Sequence, residues 1–319
     1  MTMPETGKIP AVVVAWNSGK DIGRCLGSLS SDNSVSEIIV VDNASSDSTR
    51  DIVRGFPKAR LIENPQNVGF AAAANQGIAE ASGEFVFLVN PDVSFGGDGF
   101  LSGLAAALEA DPAAGAAAPK LLSPDGITVD STGLLMQKSR KASDRGRGLP
   151  DGEEFSSACR VFGACGAAAL YRRSMLEDIK ISGEYFDAAF FAYKEDVDLS
   201  WRANLLGWKT VYVPEAIAVH SRGWKVSGRR DIPVSIRRHS HKNRYLCMLK
   251  NDDGINFIKD IPHIIFYELE INLFLLIFEP SILMAFWDII KHLPETLEKR
   301  REIMRKRKVS PSGIRRLFA

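Results

Sequence analysis

The sequence predicts an α/β fold with a mostly parallel central sheet, and three observations carry that expectation. Apolar runs rich in β-branched residues recur at intervals of roughly 25 residues. Helix-compatible segments separate them, and no hairpin signal joins one run to the next. Strand–helix–strand repeats of this kind need right-handed crossovers, and strands covered on both faces are continuously apolar rather than alternating.

In order, the strands are AVVVAW (11–16), EIIVVDN (37–43), ARLIEN (59–64) and EFVFLVN (84–90), with helices expected in SGKDIGRCLGSLSS, SSDSTRDIVRGF and NVGFAAAANQGIAEASG. Beyond Asp111, AAGAAAPKLLSPDGITVDSTGLLMQ reads as strand, turn and strand, and KSRKASDRGRGLPDGEEFSS as a polar, mobile loop. CRVFGACGAAALYRRSMLEDI is an apolar stretch running into a helix, and KEDVDLSWRANLL opens another. WKTVYVP and AIAVH read as two strands, and from about Ser240 the chain is helical.

The 319 residues, 45% hydrophobic and 25% charged, have the composition of a soluble globular protein, and a net charge of +1 gives no reason to expect nucleic acid. Charge is nonetheless uneven. Residues 291–319 hold ten Lys/Arg against three Glu, net +7, leaving about −6 for the rest. Four cysteines without CxxC spacing and a polar opening lead us to expect a reducing, cytoplasmic setting. In HIIFYELEINLFLLIFEPSILMAFWDII the apolar run is interrupted by Glu268, Glu270, Asn272, Glu279 and Pro280, so a simple membrane span is not expected.

Open α/β sheets bind ligands at the carboxyl ends of their strands. Asn17, Asp42, Asn43, Asn90 and Asp92 fall at such ends, which suggests one shared crevice. In Asn90-Pro91-Asp92 the proline ends the ladder and holds Asn90 extended. Glu195, Asp196 and Asp198 open a helix, where carboxylates are favoured by the dipole; two adjacent buried carboxyls would also raise one pKa. Arg202 lies one helical turn from Asp198, and His220 closes a strand.

The motifs VVVAWNSGKDIGRCLGSL, IIVVDNASSDST, ENPQNVGFAAAANQGI, FLVNPDV, FGACGAAALYRRS, FFAYKEDVDLSWR and VYVPEAIAVH, in this order over about residues 10–222, resemble the GT-A-fold glycosyltransferases of family two. These are inverting enzymes that use nucleotide-activated sugars. The rhamnosyltransferase-like branch, in which Asp-x-Asp appears as Asn-Pro-Asp, is the most similar. The resemblance implies a catalytic domain over 1–235, with a nucleotide-sugar half (8–112) and an acceptor half (113–235), and a helical, basic region over 236–319. It implies that Asn17, Asp42, Asn43, Asn67, Gly69, Asn90 and Asp92 bind the nucleotide sugar, Asp42 receiving the base. Asp92 and His220 would hold Mn2+ or Mg2+, and Asp196 would be the catalytic base, supported by Glu195, Asp198 and Arg202. Arg222 and Lys225, in a basic set with Arg229 and Arg230, would meet a diphosphate.

The reaction that the resemblance implies moves a sugar, such as rhamnose from a dTDP-sugar, to a glycan or polyprenyl-diphosphate-linked acceptor in cell-surface polysaccharide synthesis. The setting would be peripheral, at the inner face of the cell membrane, with the C-terminal helices meeting anionic lipid or pairing in a homodimer. The rival is a non-catalytic, membrane-associated assembly protein with a vestigial transferase domain, which Asn90 in place of a carboxylate would suit. An oxidoreductase is disfavoured because WNSGKDIG is not GxGxxG.

Overall fold

The computed structural model describes residues 8–222 and 232–319, so Lys225, Arg229 and Arg230 lie outside the described residues. The four leading apolar runs form β1 (Ile9–Ala15), β2 (Val35–Asp42), β3 (Ala59–Glu63) and β4 (Phe85–Val89). Between them lie α1 (Ile22–Ser31), α2 (Thr49–Arg54) and α3 (Phe70–Glu80). β1 pairs parallel with both β2 and β4, and β2 with β3. The spatial order β3-β2-β1-β4 therefore reverses direction at β1, and the carboxyl ends of β1 and β4 flank a switch-point crevice.

The chain continues through β5 (Val93–Phe95), α4 (Phe100–Ala110), β6 (Ala114–Leu122), β7 (Val129–Ser131), β8 (Leu134–Met136), β9 (Ala142–Asp144) and β10 (Cys159–Val161). β11 (Ala168–Arg172), α5 (Arg173–Asp178), α6 (Glu195–Leu205) and β12 (Lys209–His220) follow. β11 enters antiparallel between β4 and β6, and β12 runs parallel to β6. The result is a mixed ten-stranded sheet beside a separate β8–β9 hairpin. β1, β4 and β6 are buried along their whole length, as strands covered on both faces should be.

Two expectations are corrected here. WKTVYVP and AIAVH form one strand, β12, because a register irregularity between Val213 and Ile217 accommodates Pro214, which has no N–H for the ladder. The polar segment after Gln137 is built into the fold: Arg140, 2% exposed, donates to Asp252 at 2.8 Å and Asp260 at 2.9 Å.

Four C-terminal helices, α7 (Val234–Asn251), α8 (Gly254–Phe278), α9 (Ala285–Lys306) and α10 (Pro311–Arg315), pack back on the sheet layer. α7 contacts both α6 and α9, and Phe318 meets Trp201 edge-on with ring centroids 5.6 Å apart. Lys250 on α7 bridges Asp187 and Asp198, and Lys299 on α9 reaches Asp187 at 2.7 Å. Much of the basic tail is neutralised internally, with Lys306 on Glu302, Arg307 on Asp253, Lys308 on Asp178 and Arg315 on Asp260.

α8 is amphipathic in an inverted sense. Glu268 turns inward to Arg244 and Tyr245, and Asn272 donates to Glu268 at 3.0 Å. Phe266, Leu269, Leu273, Leu276, Ile277 and Phe278 are exposed. Of the residues that break the apolar run in sequence, Glu268, Asn272 and Glu279 are turned into contacts within the protein, while Glu270 and Pro280 are exposed.

Candidate active site

A cleft of about 750 Å³ opens where the end of β4, the first turn of α6 and the end of β12 converge. Its walls bring together Asn90, Asp92, Glu195, Asp196, His220 and Arg222 from the sequence-predicted set. Asp144, Arg147, Cys165, Gly166, Tyr193 and Lys194 complete much of the lining.

One end is a chain of ion pairs. His220 Nε2 faces Asp92 Oδ1 at 3.3 Å, and Nδ1 meets Asp130 at 2.8 Å. Arg222 continues the chain, 2.8 Å from Asp130 and 2.9 Å from Asp144. Burial opposes charging of the imidazole, yet Asp130 and Asp92 outweigh it and raise its pKa. Burial likewise pushes Asp130 up, but His220 and Arg222 win and hold its carboxyl below the usual range. Arg222 lines the cleft with its charge already met by two carboxylates, which leaves it poorly suited to neutralise a diphosphate alone.

The other end holds carboxylates that make no ion pair among the described residues, with Lys194 as the cation in the neighbouring lining. Asp196 accepts the Gly166 N–H at 3.0 Å and the Val197 N–H at 2.8 Å. Glu195 is 8% exposed, and its Oε2 has no hydrogen-bond partner among the described residues. Burial raises both pKa values, and the neighbouring Asp196 lifts Glu195 further. The first turn of α6 supports these charges with its free N–H groups.

Around β1 and β2 the predicted residues act mainly on the loops. Asp42 is fully buried; Oδ2 accepts the Ser45 N–H at 3.0 Å, and Oδ1 has no hydrogen-bond partner among the described residues. Asn17 accepts the Ser46 N–H at 2.8 Å, Asn43 donates to the Gly69 carbonyl at 3.1 Å, and Asn67 accepts the Gly69 N–H at 2.9 Å. Gly69 has φ +87°, and a Cβ there would lie 2.6 Å from Phe191. These five, Asp42 included, shape the crevice, and none of them is in the lining of the cleft.

Asp198 and Arg202 lie on the far side of α6. Arg202 donates to Asp198 at 3.0 Å and to the carbonyls of Ile179 and Tyr185, while Asn251 donates to Asp198 at 2.7 Å. Both are buried and hold the helix rather than the cleft. Asn90 anchors the Asn-Pro-Asp turn through its backbone, donating to Ala167 O at 2.8 Å, and its side-chain amide makes no hydrogen bond among the described residues.

No cluster of three or more His, Cys, Asp or Glu side chains able to hold a metal ion occurs among the described residues. Two donors fit one all the same. Neighbouring ligands about 2.1 Å from a hard cation sit about 3 Å apart, close to the 3.3 Å between Asp92 Oδ1 and His220 Nε2. Asp92 Oδ1 has no hydrogen-bond partner among the described residues, and Asp130 on Nδ1 fixes the ring as outer carboxylates do for metal-bound histidines. Asp130 and Asp144 escape sequence reasoning because they pair across 90 and 78 residues with no local motif.

The family model for glycosyl transferase family 2 matches residues 11–180. The chain belongs to that family. Among curated relatives, it is 31% identical over 274 residues to N-acetylglucosaminyl-diphospho-decaprenol L-rhamnosyltransferase of Mycobacterium tuberculosis, covering 78% of this chain and 86% of that one. It is 24% identical over 220 residues to poly-beta-1,6-N-acetyl-D-glucosamine synthase of Staphylococcus epidermidis, covering 66% and 48%. This family-2 chain also superposes on S. aureus TarS in complex with UDP-GlcNAc with a TM-score of 0.57 and 17% identity, covering 98% of this chain and 84% of that one. With GalNAc-T7 bound to UDP, GalNAc and Mn2+ the TM-score is 0.60 at 15% identity, covering 76% and 48%. The GT-A fold and the glycosyltransferase assignment expected from the motifs are thereby borne out, and the protein is a rhamnosyltransferase-like enzyme. The vestigial-scaffold alternative falls away.

Proposed function

We propose that this glycosyltransferase moves L-rhamnose from a dTDP-sugar, with inversion, to a saccharide carried on a polyprenyl diphosphate, in cell-surface polysaccharide synthesis. The observation that carries the reading is the division of one cleft into an ion-paired Asp92–His220 end and a cation-poor Glu195–Asp196 end. Asp42, with one oxygen of its buried carboxylate unpartnered among the described residues, suits the imide N–H of a pyrimidine. The Mycobacterium relative, named for rhamnose transfer to a decaprenol-linked N-acetylglucosamine, supports the choice of donor and acceptor.

The lining carboxylates Asp92, Asp144, Glu195 and Asp196 would repel a diphosphate, while Arg222 is already paired. Asp92 and His220 would hold a divalent cation, which would neutralise the leaving diphosphate, and the imidazole would favour Mn2+ over Mg2+. Asp196 takes the proton of the acceptor hydroxyl as its oxygen bonds to C1 and the C1–O bond to the nucleoside diphosphate breaks. Its raised pKa makes it a stronger base than an ordinary aspartate. Glu195, beside it, orients the acceptor. The test is a panel of dTDP-rhamnose, UDP-GlcNAc and GDP-mannose with a GlcNAc-diphospho-polyprenol acceptor, Mn2+ or EDTA, and anomeric assignment of the product. Inverted rhamnosyl transfer lost in EDTA is expected; transfer from another donor only, or undiminished transfer in EDTA, overturns the reading.

The acceptor's lipid implies a membrane face, and we assign α8 and the start of α9 to it, at the inner leaflet. α8 is the one helix among the described residues long and apolar enough to cross a membrane, and only 11% of its apolar window is buried. Met284, Trp287 and Ile290 extend the exposed apolar surface, with Lys291, Arg301 and Arg305 exposed along α9. Lying in the interface plane suits such a face better than homodimerisation, because its polar side is already paired inside the protein. Vesicle co-sedimentation should fall sharply for Phe266→Glu/Leu273→Glu; unchanged sedimentation counts against this surface.

A further inference from the structure

The segment leading into Glu195 is conformationally unusual. Phe191, Tyr193 and Lys194 have φ of 64°, 71° and 71°, a region that residues with a Cβ rarely adopt. Three such residues within four positions do not persist on their own; the surroundings must hold them. Phe190, Ala192 and Tyr193 turn their carbonyls toward one point, and that point is the side chain of Asn243 on α7. Its Nδ2 lies 2.8, 2.9 and 2.7 Å from those three oxygens, and the residue is fully buried. Converging carbonyls repel one another, and the two N–H groups of the carboxamide, shared among the three oxygens, offset this.

Other contacts fix the same segment. Lys242 donates to the Ala189 carbonyl at 2.6 Å, and the Cys247 thiol approaches Lys194 O at 3.6 Å. On the opposite side Phe191 O accepts the Ala71 N–H at 3.2 Å, next to Gly69, and the Phe191 ring stacks on His239 at 5.0 Å. The segment thus joins the crevice wall at Gly69, the cleft lining at Ala192–Lys194 and the first turn of α6.

We infer that Asn243 is a positioning residue for the transfer reaction: by gathering three carbonyls of the Phe190–Tyr193 segment, it fixes where Glu195 and Asp196 stand in the cleft. It touches neither substrate, and it acts through the loop. The inference rests on the proposal that Asp196 carries the chemistry. Misplacing a reacting group by an ångström costs about a hundredfold, whereas the Asp42 and Asp92–His220 groups that would hold the donor are on other elements.

The test compares Asn243→Leu with Asn256→Leu. Asn256 is an equally buried amide, donating to Pro311 O at 2.8 Å, with no contact to this segment. With dTDP-rhamnose and the lipid-linked acceptor in detergent, Asn243→Leu should lower kcat about a hundredfold while KM for the donor moves by about twofold or less. Asn256→Leu, with a matched loss in Tm, should keep kcat. Unchanged kcat in Asn243→Leu, or an equal fall in both, overturns the inference. If the leucine variant does not fold, Asn243→Ser, which keeps a single donor, is read the same way: a partial kcat loss without a donor KM change supports it, and unchanged kcat refutes it. Asp196→Asn separates the two levels. If it retains full kcat, the proposed base is wrong; if it is inactive while Asn243→Leu is not impaired, only the role of Asn243 fails.

Discussion

At one end of the cleft Asp92, Asp130 and Asp144 each face a cation, either His220 or Arg222. At the other end the buried Glu195 and the half-buried Asp196 sit side by side, with backbone N–H groups as the main support for Asp196. The same side-chain chemistry is driven in opposite directions: Asp130 is held ionised, and the Glu195–Asp196 pair resists ionisation. The roles we propose rest on this separation, with a fixed ligand at the ion-paired end and a proton acceptor at the other. Sequence alone places Asp92, Glu195 and Asp196 near strand or helix ends and gives no sign of Asp130 or Asp144.

The largest break in this comparison should come from Asp196→Asn, which keeps the shape and removes the base. A kcat lower by about a thousandfold is expected, with nucleotide affinity nearly unchanged by calorimetry. Next is Lys250→Met, which removes one of the two cations on each of Asp187, which keeps Lys299, and Asp198, which keeps Arg202. Breaking a buried pair outright costs about 3 kcal/mol; with the second cations in place a smaller loss is expected, read as a lower Tm and denaturation midpoint. Asp130→Asn frees the His220 ring and weakens Mn2+-dependent donor binding about tenfold or more.

The smaller effects concern pH. Because Asp196 must be ionised and its pKa is raised, the acidic limb of the kcat profile should lie above that of an ordinary aspartate, with activity rising as pH rises through it. Glu195 has a raised folded pKa as well, so the folded state holds its proton more tightly. Its contribution is therefore most favourable below the ordinary value of 4.5 and is lost as pH rises toward the folded value. Tm measured across that window should fall less in Glu195→Gln than in the wild type.

What the sequence made legible was local. Continuous apolar runs identify β1–β4, and of the residues at strand ends Asn90 and Asp92 do line the cleft whereas Asp42 lies outside its lining, since period and turn chemistry act over a few residues. Pro214 misled the reading of β12, because a bulge in a well-paired strand has no signature distinct from a strand break. Arg140 looked solvated among polar neighbours, although its partners Asp252 and Asp260 lie 112 and 120 residues away. The same applies to Asp130, Asp144 and Asn243. In α8 the alternation of Glu268 and Glu270 hid the amphipathic face, since only the fold shows that Arg244 and Tyr245 draw Glu268 inward.

The most direct measurement sets nucleotide-sugar binding beside turnover for two variants, Asp92→Asn and Asp196→Asn, with dTDP-rhamnose and Mn2+. The division of the cleft predicts a crossover: Asp92→Asn loses the Mn2+-dependent part of binding, and Asp196→Asn binds like the wild type but does not turn over. Wild-type turnover in Asp196→Asn, or equal loss of binding in both variants, would contradict it.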